Sequence, residues 1–199
     1  MDNQNNIQGI NEHANQTPVK FGDSLNSNEI LVFTSLCNVF KVPKTEVFNI
    51  HQSLERIEPE QGEKPLYVTG DKNYSGFLIV AFENGKVGKI SMSSFRTEFK
   101  RKKLRNAFNN ESKLIFIERI DTDTDLIAVS SINKVILFNT SLINPVESRT
   151  TKGVQVMKQK DGSRMSMVIR ADQAGLADRE FYRKGLNVVG FYLKKGDEL

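Results

Sequence analysis

A pattern of hydrophobic residues returns in this chain every 48 positions, and no other feature restricts its fold as much. Three segments carry it without a gap: EILVFTSLCNVFKVPKTEV (29–47), FLIVAFENGKVGKISMSSF (77–95) and DLIAVSSINKVILFNTSLI (125–143). Ile30, Leu78 and Leu126 coincide, as do Leu31, Ile79 and Ile127, then Val39, Val87 and Val135. Each copy reads as strand, turn, strand, with turns at Cys37-Asn38, Gly85-Lys86 and Asn133-Lys134. Asn84-Gly85 sets the register, because this pair tolerates the positive φ of a tight hairpin.

Further strands fall between the hairpins: Pro65 to Val68, Leu114 to Ile117 and Met165 to Ile169, the last about three residues late for the period. A multi-stranded unit of about 40 to 50 residues is the signature of a propeller blade, since one small sheet cannot bury both faces until neighbours stack on it. The expected fold is all-β: a propeller or pinwheel of four-stranded blades, closed or left as a partial, open ring. Residues 1–20, polar and Asn/Gln-rich, read as a flexible arm, and 21–199 as one propeller-like domain. In its final segment, 171–199, Ala171 to Lys184 has helical spacing and Leu186 to Leu193 reads as a buried strand, closing the array or capping it.

The net charge of +4 is unevenly spread: −4 over residues 1–60, +6 over 61–120 and +2 over 121–199. Such asymmetry marks either a polyanion-binding surface or a solvated basic face. Between Lys100 and Arg105 the chain reads Lys-Arg-Lys-Lys-Leu-Arg, a clustering of like charge that costs stability and that no folding argument requires.

Catalytic patterns are missing. There is no phosphate-binding Gly-rich loop with Lys-Ser/Thr, no Gly-x-Ser-x-Gly elbow and no nucleophile–base pair. Asp121-Thr122-Asp123-Thr124-Asp125 has the start of a calcium loop, but Leu126 and Ile132 stand where that loop needs Gly and Glu, so it reads as a solvated turn. Cys37 is the only cysteine, and His13 and His51 the only histidines, which excludes a disulfide and metal spacing and suits a reducing cytosol. No apolar run approaches the roughly 20 residues of a membrane span, so no membrane partner is expected. The 13 phenylalanines suit blade cores, leaving base stacking to an exposed aromatic such as Tyr74.

Hairpins of this kind, at Ile30 to Val42, Phe77 to Ile90 and Leu126 to Asn144, the last running into Arg149-Thr150-Thr151-Lys152-Gly153-Val154, resemble the C-terminal propeller of the A subunits of bacterial DNA gyrase and topoisomerase IV. The resemblance covers roughly residues 25 to 170. It implies a cytoplasmic, nucleoid-associated accessory domain that is not an enzyme by itself and needs no cofactor. Such a domain binds and bends duplex DNA without sequence specificity and presents it for strand passage; its partners are the rest of the A subunit and, through that, the ATPase B subunit. In that family one loop carries a Gln-Arg-Arg-Gly-Gly-Lys-Gly box that wraps DNA. Here Thr97 to Phe108 occupies the corresponding place, basic but without paired glycines, which points to weaker bending. The candidate DNA-binding residues are Lys100, Arg101, Lys102, Lys103 and Arg105, with Lys41, Lys44, Lys86, Lys89, Lys134, Arg149 and Lys152 near hairpin turns and exits. The competing reading is a propeller for protein–protein interaction whose working surface is the acidic first third.

Overall fold

Each hairpin opens with a strand that has no polar alternation, because both of its faces are buried. The computed structural model describes residues 18–98, 101–160 and 162–199. In chain order the elements are β1 (Lys20–Phe21), β2 (Glu29–Thr34), β3 (Val39–Pro43), β4 (Pro65–Gly70), β5 (Phe77–Phe82), β6 (Lys86–Ser91), β7 (Lys103–Leu104), β8 (Leu114–Ile120), β9 (Asp125–Ser130), β10 (Lys134–Asn139), β11 (Val154–Gln155), β12 (Met165–Arg170), the helical turn α1 (Arg179–Tyr182) and β13 (Phe191–Tyr192). They form three sheets, ordered β1-β4-β2-β3-β7, β8-β5-β6-β11 and β12-β9-β10-β13. The fold is all-β, an open pinwheel.

Successive side chains of a strand point to opposite faces, and the three central strands use this to stack the sheets. Leu31 and Phe33 of β2 meet Leu78 and Val80 of β5 in one core; Ile79 and Ala81 of β5 meet Leu126 and Ala128 of β9 in the next. The two outer faces of the stack do not meet each other. Ile30 and Val32 are covered by Val19, Phe21, Ile50, Leu54 and Ile57, and Ile127 and Val129 by Ala171, Ala174, Leu176 and Tyr182. Every one of these central-strand side chains is at most 5% exposed.

The three hairpin turns share one geometry. Cys37, Gly85 and Asn133, the expected turn positions, have φ of 57°, 81° and 57°, and their N–H groups donate to Thr34, Phe82 and Ser130. At Gly85 the requirement is strictest, because a Cβ there would collide with the Met157 carbonyl.

The first two sheets take their outermost strand from beyond the following hairpin, and the third takes its own from the C-terminal segment. β7 leaves the second repeat to pair with β3, with Phe40 opposite Lys103. β11 pairs with β6, Lys86 opposite Gln155, and β13 with β10, Lys134 opposite Tyr192. This interleaving ties each blade to the next.

The N-terminal arm expected over 1–20 lies outside the described residues as far as residue 17, and its last residue, Lys20, already belongs to β1, which runs parallel to β4. Over 171–193 the expected long elements shrink to α1 and β13. The run Leu186 to Leu193 is not a buried strand: Phe191 and Tyr192 alone form β13, both exposed, and Val188 makes an isolated parallel bridge to Met157. Leu186 and Val188 are half-buried against the margin of the core between the second and third sheets, while Phe191 and Tyr192 stay on the sheet edge.

Candidate nucleic-acid interface

The basic run is organised by what anchors it. Leu104, Ala107 and Phe108 sink into the core between the first two sheets. The Ala107 N–H donates to the Cys37 carbonyl at 2.7 Å, and the Lys41 N–H to the Lys102 carbonyl at 2.8 Å. With those positions fixed, Arg101, Lys102 and Arg105 project into solvent. Arg101 and Lys102 have no ion pair among the described residues; Arg105, with its side chain 80% exposed, stands 4.0 Å from Glu60. Lys103 differs, lying over the Phe40 ring and pairing with Glu60 at 2.8 Å and Glu63 at 3.5 Å. Burial raises the Glu63 carboxyl pKa, but hydrogen bonds from Thr34, the Glu60 N–H and Asn38, with the Lys103 charge, outweigh it and hold the group below its ordinary value.

Two candidates are corrected outright. Lys41 is buried, 2.9 Å from Glu29 and 3.1 Å from Thr97 Oγ1, with its ammonium over the Tyr74 ring. Lys89 is buried at the same position of the next repeat, 2.6 Å from Asp123 and over the Phe77 ring. Neither can reach a phosphate, because each lies in a central part of its sheet with a neighbouring blade packed across it. Tyr74 is not a free stacking platform either: its hydroxyl bonds Glu29 and Lys41 covers its ring. Burial first, and then the Glu29 hydrogen bond, raise its pKa far beyond the ordinary phenol value.

Of the other candidates, Lys44 bonds Ser24 Oγ at 3.3 Å. Arg149 is a clasp that donates to the Ser94 carbonyl at 2.8 Å and the Asn106 carbonyl at 3.3 Å. Through Arg149, and through Asn109 Nδ2 donating to the Thr150 carbonyl, the 149–152 loop lies along the 105–109 segment. Lys152 is exposed and pairs with Glu111. Lys86 and Lys134 are half-buried, opposite β11 and β13. Lys100 lies outside the described residues. The accessible candidates therefore follow the outer strands, along the rim of the stack. Exposed Lys158 and Lys184 join them there, and sequence reasoning missed both because neither sits in a charge run or a hairpin turn.

At the inner edges of the sheets, around a cavity of about 380 Å³, the charges are matched. Glu118 pairs with Lys20 and with Arg170 (2.6 Å), and Lys72 bridges Asp23 (2.9 Å) and Asp121 (2.8 Å). The Asp-rich turn is thus an ion-pair hub: Asp123 holds Lys89, and Asp125 holds Arg183 at 2.7 Å. Among the described residues no cluster of His, Cys, Asp and Glu suits a metal ion, and no helix is long and apolar enough to cross a membrane.

No protein-family model matches the chain, and no curated protein matches it in sequence. Solved structures do match. The C-terminal domain of DNA topoisomerase IV superimposes with a TM-score of 0.66 at 18% identity, over 87% of this chain and 62% of that one. The chain has the fold of a topoisomerase C-terminal domain. The DNA gyrase A C-terminal domain gives 0.57 at 16% identity, over 87% and 64%. The E. coli ParC C-terminal domain gives 0.60 at 8%, over 86% and 78%. The chain thus spans a little under two thirds of the first two domains, and at such identities the likeness is one of fold. On this topoisomerase-type pinwheel the accessible candidates Arg101, Lys102, Arg105 and Lys152 lie beside the outer strands β7 and β11.

Proposed function

We propose that the chain is a DNA-binding accessory module of a type IIA topoisomerase A subunit, one that holds duplex DNA against its rim and does no chemistry itself. The observation that carries this reading is the anchoring of Leu104, Ala107 and Phe108, which leaves Arg101, Lys102 and Arg105 exposed with little carboxylate compensation. Cations held in this way neutralise phosphates and release counterions, giving sequence-independent, salt-dependent affinity. Lys152 and Lys86 extend the track along the second blade. The duplex is bent modestly around the open arc and presented to the strand-passage machinery of the rest of the A subunit and the ATPase B subunit, in a cytoplasmic, nucleoid-associated setting.

The test is a salt titration of duplex binding, wild type against Arg101→Gln/Lys102→Gln/Arg105→Gln. The variant should bind more weakly, with the slope of log K against log salt reduced by about 2 to 3. An unchanged slope removes these residues from the interface.

A second reading, a platform for protein partners, has one observation behind it: Phe48, 97% exposed in the acidic first third. A gel shift with nonspecific duplex separates the two readings.

A further inference from the structure

The outer strand of the third blade differs from those of the other two. Where β7 presents Lys103 and Leu104, and β11 presents Val154 and Gln155, β13 presents two aromatic rings at an open sheet edge, with Phe191 36% and Tyr192 62% exposed. The two rings point to opposite faces of the strand. Phe191 leans on Phe181, with centroids 4.9 Å apart, and carries Lys184 Nζ at 5.2 Å. Tyr192 has Lys134 Nζ 5.0 Å from its centroid and is otherwise largely open to solvent.

The lysines around this edge are not equivalent. Lys194, over Phe181, is neutralised by Asp178 at 2.9 Å. Lys134 and Lys184 have no carboxylate at ion-pair distance among the described residues. One edge therefore combines an exposed ring beside Lys134 on one face of the strand with a second ring beside Lys184 on the other, both ammonium groups uncompensated.

We infer that this edge is a binding site for single-stranded DNA, with an unpaired base stacked on Tyr192 and the flanking phosphates held by Lys134 and Lys184. A π face suits any base, and base–aromatic stacking beside a cationic backbone track is how unpaired strands are held without sequence preference. A duplex has no free base faces to offer, and an acidic peptide would use the lysines but not the ring. The duplex reading is carried by Arg101, Lys102 and Arg105 and concerns another form of DNA, so the two readings can fail separately.

The experiment measures polarisation of a labelled oligo-dT and of a labelled loop-free duplex with the whole chain. Tyr192→Ala and Tyr192→Leu should each weaken oligo-dT binding about tenfold, the loss of one stacked base, while Tyr192→Phe should bind like wild type. Lys134→Gln should weaken it less and flatten its salt dependence. Duplex binding should stay the same in the three Tyr192 variants, and Arg101→Gln/Lys102→Gln/Arg105→Gln should show the reverse pattern. The inference is overturned if wild type does not bind oligo-dT, if Tyr192→Leu binds as well as wild type, or if Tyr192→Ala weakens both DNAs equally. Thermal melting guards the result: a Tyr192→Ala loss matched by a lost folding transition and not restored in Tyr192→Phe also overturns it.

Discussion

Lys89 and Lys102 are thirteen residues apart in a basic stretch of chain, and the fold gives them opposite duties. Lys89 lies on β6 between stacked blades, held by Asp123 and the Phe77 ring. Lys102 precedes a two-residue edge strand and faces water. Lys41 repeats the buried arrangement one period earlier, and the third repeat places fully buried Leu137 there, which identifies the position as core-facing. A lysine in this fold is a core residue at positions 41 and 89, where the next blade packs across it, and a candidate ligand contact at 102, where the side chain faces water.

Asp123 is the carboxylate that keeps Lys89 in the interior. Asp123→Ala strands the Lys89 ammonium in the interior and should cost about 3 kcal/mol, whereas Lys89→Met removes the charge together with its need for a partner and should be close to neutral. Urea unfolding of both variants checks this; equal effects would mean that Lys89 is not buried as a charge. Glu29→Ala should cost less, about 2 kcal/mol, because Lys41 keeps its 3.1 Å hydrogen bond to Thr97 Oγ1 whereas Lys89 keeps only a 3.4 Å one to the Thr140 carbonyl.

Acid sharpens the same contrast. The hydrogen bond from Lys89 holds the Asp123 carboxyl below its ordinary value, as those from Lys72 and Arg183 do for Asp121 and Asp125. A carboxylate whose pKa is lowered by folding adds stability that is fully present above its unfolded pKa and is lost as pH falls through the folded one. Thermal stability should therefore be flat from neutral pH down to about 5 and fall below about 4, and Lys89→Met should blunt that fall. At the rim the expected effect on folding is smallest: Arg101→Gln/Lys102→Gln/Arg105→Gln should change unfolding free energy by no more than about 0.5 kcal/mol while altering the salt dependence of DNA binding.

A good part of the blade was legible in the sequence. The 48-residue period located the three hairpins, and Asn84-Gly85 placed turns that all prove to have a positive φ. The candidate interface was legible only as a charge count. Lys103 and Lys102 are adjacent and identical, yet Lys103 is held by Glu60 and Glu63, some forty residues away in sequence. Such partners leave no local signal. The aromatic edge at Phe191 and Tyr192 resembled a core strand because apolar composition reports the wish for burial and not its achievement.

By itself the sequence determined the period, the strand-turn-strand unit and the need for blades to stack, because each follows from local backbone preference and from apolar runs that one sheet cannot bury. The tertiary structure alone decided that outer strands cross from one repeat to the next, that the two end faces are covered by their own flanking segments, and which basic residues reach water. Those outcomes depend on pairings between residues far apart in the sequence, where chain closure and burial, and not local propensity, select the partner.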